Sequence, residues 1–147
     1  MVTTQFWSCF LAADQAVTSS TALVDVTGFT FAMEASRTYG FDGHLYFNLG
    51  GVVSGVKLGV GLPASPTNTN YMLEVVNGTG LSLVALGMNA GVATALATGG
   101  LHVSRVGGII ENGVNAGNLS LQFAQNTSNG SAITAKRGSW FRVWNLS

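Results

Sequence analysis

Residues 37–50 read RTYGFDGHLYFNLG. Counted in twos, Tyr39, Phe41, Leu45, Phe47 and Leu49 fall on one side, with Gly43 the only gap. Gly40, Asp42, His44, Tyr46 and Asn48 fall on the other. Side chains alternate across a strand, so this period predicts one long strand with an apolar face and a polar face. Aromatic and bulky apolar residues suit such a half-buried pleated surface. The remaining segments read as elements that cover this strand, extend it or turn away from it.

Upstream, in residues 5–13, Trp7, Cys9 and Leu11 share one phase and Phe6 and Phe10 the other. A strand apolar on both faces is expected to be buried on both, by a sheet on one side and a second sheet or subunit on the other. Asp14–Thr21 reads as a polar loop, and 22–29 as a strand that Gly28 breaks before a short piece over 30–35. Downstream, a Gly50-Gly51 turn leads to 55–62, where Gly59 and Gly61 on one phase mark close approach by another backbone or a sharp bend. Pro63 and Pro66 enforce a loop through Asn70, and 71–76 is a strand closed by Asn77-Gly78. Residues 81–86 predict a short strand, with a loop or weak strand to 100. A strand over 101–111 is expected to bulge at Gly107-Gly108. Residues 118–125, 131–137 and 139–146 complete the set, with Asn-rich turns between them. Nine or ten short strands with Gly, Asn and Pro turns and no helical period predict an all-β, antiparallel sandwich or barrel, in one domain spanning 1–147.

Composition bears on partners. Hydrophobic residues make up 47% and charged residues 8%, with six cations against six anions, where about 25% charged is usual. Neutrality invites association, so much of the surface is expected to be polar uncharged or buried against other chains. The neutral balance argues against nucleic acid as a partner, because phosphate binding needs clustered Lys and Arg, and the small group Lys136, Arg137 and Arg142 reads as a solvated or subunit-contacting edge. No apolar run approaches the ~20 residues of a membrane helix, and residues 6–13 lack the basic flank of a signal sequence. A soluble protein made in a cytoplasm is expected. One cysteine, Cys9, allows neither an internal disulfide nor a Cys-His metal framework.

Catalytic signals are weak. Asp42 and His44 share a strand face but lack a third ligand, and His102 stands alone. No nucleophile elbow, phosphate loop or paired-carboxylate pattern is present among Asp14, Asp25, Glu34, Asp42, Glu74 and Glu111. No enzyme, cofactor or metal is expected. Trp140, Arg142 and Trp144 share a face of the last strand, opposite Phe141 and Val143. With Phe6 and Trp7 they are the candidate residues for a subunit interface or a ligand platform.

Three stretches, ALVDVTGFTFAMEASRTYGFDGHLYF (22–47), GIIENGVNAGNLSLQFAQNTSN (108–129) and KRGSWFRVWNL (136–146), resemble small phage structural proteins: capsid decorations and fibre heads with a tumour-necrosis-factor-like trimeric jelly roll. The resemblance implies a homotrimeric jelly roll in the virion, made in the host bacterial cytoplasm, with the major capsid protein as partner. Strand material beginning at Phe6 favours a free-standing trimer that cements a capsid over a fibre head. The fibre-head alternative implies a receptor or host surface glycan as ligand. It would be held by Trp140, Arg142 and Trp144, or by the loops at Pro63–Tyr71 and Asn126–Gly130.

Overall fold

The structure, a computed structural model, describes residues 5–50, 55–77, 80–86, 92–94 and 100–147. These form twelve strands and no helix: β1 (Phe6–Phe10), β2 (Gln15–Val17), β3 (Val24–Met33), β4 (Thr38–Leu49), β5 (Val56–Gly61), β6 (Asn68–Asn77), β7 (Gly80–Leu86), β8 (Val92–Thr94), β9 (Leu101–Glu111), β10 (Gly117–Gln125), β11 (Ile133–Ala135) and β12 (Trp140–Asn145). All pairings are antiparallel. The larger sheet runs β1-β12-β4-β9-β6-β7, with β2-β11 attached beside β4; the smaller runs β3-β10-β5-β8.

The pairings nest. β1 pairs β12, β3 pairs β10, β4 pairs β9 and β5 pairs β8. Such a set of pairs, each enclosed by the one before and shared between two sheets, is jelly-roll connectivity. β4 is the long strand that the period-two pattern predicts. Its Tyr39, Phe41, Leu45, Phe47 and Leu49 are at most 2% exposed. They meet Val26, Phe29 and Met33 of β3 and Leu119, Leu121 and Phe123 of β10 in one core between the sheets.

Glycines let this core hold large rings. Gly43, the gap in the apolar face of β4, lies opposite Phe141. A Cβ there would sit 2.9 Å from the Phe141 ring. Gly108 lies between Phe41 on β4 and Tyr71 on β6, whose rings are 6.2 Å apart. This corrects the expected bulge at Gly107-Gly108: β9 keeps an unbroken register with both neighbours, and Gly108 gives room to the close-lying β6 backbone at Asn70 and Tyr71 instead of bending the strand. Gly59 and Gly61 are approached by side chains and not by another backbone: Leu23 at Gly59, and Ser120 and Gln122 at Gly61.

Other boundaries also differ. Gly28 (φ +80°) does not break β3. The residues around it bulge out opposite Leu121, and β10 resumes pairing on both sides, Ser120 with Thr30 and Gln122 with Asp25. The 14–21 loop contains β2, which pairs with β11 and so lengthens the large sheet. β6 begins at Asn68, inside the loop expected from the two prolines, because 68–70 pair with 109–111. The strand expected at 81–86 is β7, and β8 follows. Gly51, Gly78, 87–91 and 95–99 lie outside the described residues.

A Cβ at Gly108 would lie 2.5 Å from Tyr71 Cβ. Overpacking of this kind costs about 1–3 kcal/mol. Gly108→Ala is therefore expected to lower the urea midpoint by that equivalent, whereas Gly130→Ala, where a Cβ meets nothing within 4 Å, should leave it close to wild type.

Candidate functional site

The two outer faces of the sandwich differ in chemistry. On the small sheet the polar groups satisfy one another: Asp25 accepts hydrogen bonds from Ser120 Oγ (2.7 Å) and Gln122 Nε2 (2.8 Å). On the large sheet, registers place side chains in cross-strand rungs. One rung runs Phe6, Trp144, Gly40, Ile109, Asn70; the next Ser8, Arg142, Asp42, Gly107, Met72; the third Phe10, Trp140, His44, Arg105, Glu74. Phe6 (58% exposed), Phe10 (68%) and Ile109 (50%) stand in solvent on this face, with Met72 beyond them and Leu101 at one end.

The charges on the face are held in place. Arg142 grips Asp42 with two hydrogen bonds, Nε to Oδ1 at 2.8 Å and Nη2 to Oδ2. Its guanidinium carbon lies 4.3 Å from the centre of the Trp140 ring, a cation–π contact. The Asp42 carboxylate raises the Arg142 pKa further above its ordinary value. His44 lies 4.7 Å from Trp140 and its Nε2 accepts a 2.9 Å hydrogen bond from Arg105 Nε. That bond requires the neutral ring with its proton on Nδ1. Desolvation, and then the nearby Arg105 charge, push the His44 pKa down.

Two features shape the surface. Trp144 lies across Gly40, where a Cβ would fall 2.5 Å from its Nε1; the ring is half-buried and its glycine fully so. Gly107 leaves a gap in the second rung, a shallow cleft of about 160 Å³ walled by Asp42, His44, Met72, Glu74, Arg105 and Trp140.

Of the residues singled out from sequence, Phe6, Trp140, Arg142 and Trp144 fall together on this face. Trp7 does not. It points to the opposite side of β1, its ring 4.4 Å from that of Phe31 on β3. Nor is β1 buried on both faces in the single chain: Cys9 packs against the core while Phe6, Trp7 and Phe10 are exposed. Burial also raises the Cys9 thiol pKa. The Pro63–Tyr71 loop proposed as a ligand edge is shortened by β6, and Tyr71 is a core residue. Met72, Glu74, Arg105, Gly107 and Ile109 join the face from strands distant in sequence. Their period-two phase was readable, but the order of strands that brings them beside Trp140 was not.

Chemistry that would make a catalytic centre is sparse. Among the described residues no three His, Cys, Asp or Glu side chains are grouped to hold a metal. Several acids are engaged with cations: Asp14 with Lys136, Glu34 with Arg37 and Asp42 with Arg142. His102 stacks near Phe47 inside the sandwich, with ring centres 5.7 Å apart. Among the described residues no helix is long and apolar enough to cross a membrane.

No protein-family model matches the chain, and no curated protein matches it. Among solved structures it is similar to viral capsid proteins. The structure of the infectious bursal disease virus Gx strain is 10% identical, with 97% of this chain and 39% of that chain covered and a TM-score of 0.26. The T13 particle of the same virus is 11% identical, with 98% and 39% covered and a TM-score of 0.31. Its VP2 subviral particle is 10% identical, with 98% and 41% covered and a TM-score of 0.28. The chain thus spans about two fifths of those proteins' length. Likeness at this depth decides neither fold nor function, which rest on the chain's own geometry.

The His44 shift has a pH consequence. Its folded-state pKa is depressed below the ordinary 6.5, so the unfolded chain takes up this proton first. The stability concerned is present above pH 6.5 and is lost as pH falls through the lower folded value. In urea titrations the wild type is expected to weaken below pH 6.5, and His44→Gln, which keeps an acceptor for Arg105, to flatten that part of the profile.

Proposed function

We propose that this chain is a non-enzymatic virion structural protein, a homotrimer that decorates and cements a phage capsid. The observation that carries the reading is the outer face of the large sheet, where exposed Phe6, Phe10 and Ile109 surround half-buried Trp140 and Trp144. Arg142 and Asp42 neutralise each other at its centre. A second copy meeting this face would bury aromatic surface and meet an already paired Arg142 and Asp42 at its centre, which suits self-association. The net charge of zero agrees with it. The virion setting comes from the resemblance of the three stretches to phage decoration proteins. In this reading the trimer forms in the host bacterial cytoplasm and docks on the major capsid protein. Its subunit junctions bury apolar surface that opposes the pressure of the packaged genome. It takes no nucleic acid, membrane or cofactor.

Sedimentation of the purified protein is expected to give a trimer-based mass, and mixing with undecorated heads to carry it into the particle fraction. Ile109→Asp should yield a folded chain, by far-UV circular dichroism, that no longer assembles into trimers. A wild-type protein that stays monomeric at micromolar concentration overturns the reading.

A second reading is the receptor- or carbohydrate-binding head of a fibre. It is favoured by Trp144, held flat over Gly40, and by the Gly107 cleft with its carboxylates, Arg105 and Trp140. Aromatic rings beside planar polar groups are suited to sugars. On a panel of host-surface glycans this reading expects binding that Trp144→Ala reduces at least tenfold; the capsid reading expects no binding at all.

A further inference from the structure

β1 ends the large sheet, and among the described residues nothing pairs its far side. Its sequence, FWSCF, has no charge, no proline and no glycine. Edge strands are ordinarily guarded by lysine, proline, a bulge or a covering loop, because a free row of N–H and C=O groups templates another strand. The free edge of β3, which ends the smaller sheet, is covered by a side chain. Gln15 of β2 reaches across to β3, donating to the Asp25 carbonyl at 3.0 Å and accepting from Thr27 N at 2.7 Å.

The direction of the free groups follows from the ladder. Asn145 N donates to Gln5 O and Leu11 N to Ser139 O, both in the register that pairs Ser8 with Arg142. In an antiparallel pair, hydrogen-bonded residues alternate. Gln5, Trp7, Cys9 and Leu11 therefore turn their backbone groups toward β12, while Phe6, Ser8 and Phe10 turn theirs away. All three of these are exposed, Phe6 at 58% and Phe10 at 68%.

We propose that β1 pairs antiparallel with β1 of a second copy across a twofold axis at Ser8, joining two large sheets edge to edge. The sequence is self-complementary about that point. Ser8 meets Ser8, Phe6 meets Phe10 of the second copy, and Trp7 meets Cys9 of the second copy. The first two kinds of pair are hydrogen-bonding positions, so the free groups of Phe6, Ser8 and Phe10 on the two strands form six hydrogen bonds. The two phenylalanines that stand in solvent become cross-strand neighbours on the outer face, a favourable pairing. The uncharged strands bring no like charges together. The pairing stands on the edge geometry alone. If the trimeric reading also holds, it links neighbouring trimers, a contact that a capsid lattice with local twofolds would use.

Ser8→Pro tests it. The Ser8 N–H points to the free edge, so proline there removes no bond to β12, and edge positions of this orientation tolerate proline. By sedimentation equilibrium the folded Ser8→Pro protein is expected to show a smaller mass than wild type: a single trimer from linked trimers if the trimeric reading holds, monomer from dimer if it fails. In a Cys9→Ser background, Ser8→Cys should oxidise to a disulfide-linked dimer, since directly opposed Cα atoms lie about 5.5 Å apart. Phe31→Cys in the same background, on the other sheet, should not. Unchanged mass in a folded Ser8→Pro variant together with no Ser8→Cys dimer would overturn the proposal. So would loss of capsid binding by Ser8→Pro at unchanged mass without cross-linking, which would assign the edge to a strand of the capsid protein.

Discussion

Pairing of β4 along both of its edges is the constraint on which the molecule depends. From Thr38 to Asn48 it has eleven consecutive partners on β9, and on the other edge β12 and β11 follow one another along it. Because a sheet has a period of two, a slip of one residue in any of these registers would turn Tyr39, Phe41, Leu45, Phe47 and Leu49 out to water. The core opposite, on β3 and β10, fixes which phase faces inward. Everything on the outer face inherits its position from that choice.

The join between β11 and β12 shows how the register is kept through an irregularity. Lys136 N donates to Tyr46 O at 2.7 Å, Gly138 takes φ +90°, and Ser139 Oγ accepts from Tyr46 N at 3.0 Å. Asp14, at the matching break between β1 and β2, pairs with Lys136 and accepts from Arg137 N. Those bonds, Lys136 first, hold the Asp14 carboxyl below its ordinary pKa. The two breaks lie opposite each other, so the β1–β12 and β2–β11 ladders stay in one frame.

Much of this was legible in the sequence, for physical reasons that differ from element to element. The alternation in 38–49 and 140–145 is strong because one face of each strand is buried against a sheet and the other is not. One signal misled. Glycine is a bulge former in isolation, yet at Gly108 it answers to the close approach of Asn70 and Tyr71 from another strand, which is not local. The double apolar pattern of β1 predicts a sheet on one side and a second sheet or subunit on the other; within the single chain Cys9 packs on the core while Phe6 and Phe10 stay exposed. The candidate face was half readable. Trp140, Arg142 and Trp144 announce themselves by spacing, whereas Glu74, Arg105 and Gly107 join them only through the order β12-β4-β9-β6.

The ring-over-glycine couples, Trp144 on Gly40 and Phe141 on Gly43, also bear on how such a protein can diverge. Neither member of a couple is free to change first. A larger residue at the glycine collides with the ring, and a smaller residue at the ring leaves a void. Divergence at these positions therefore proceeds by coordinated exchange or by detours through weakened intermediates. The same couples that make the sheet compact make its sequence history rugged.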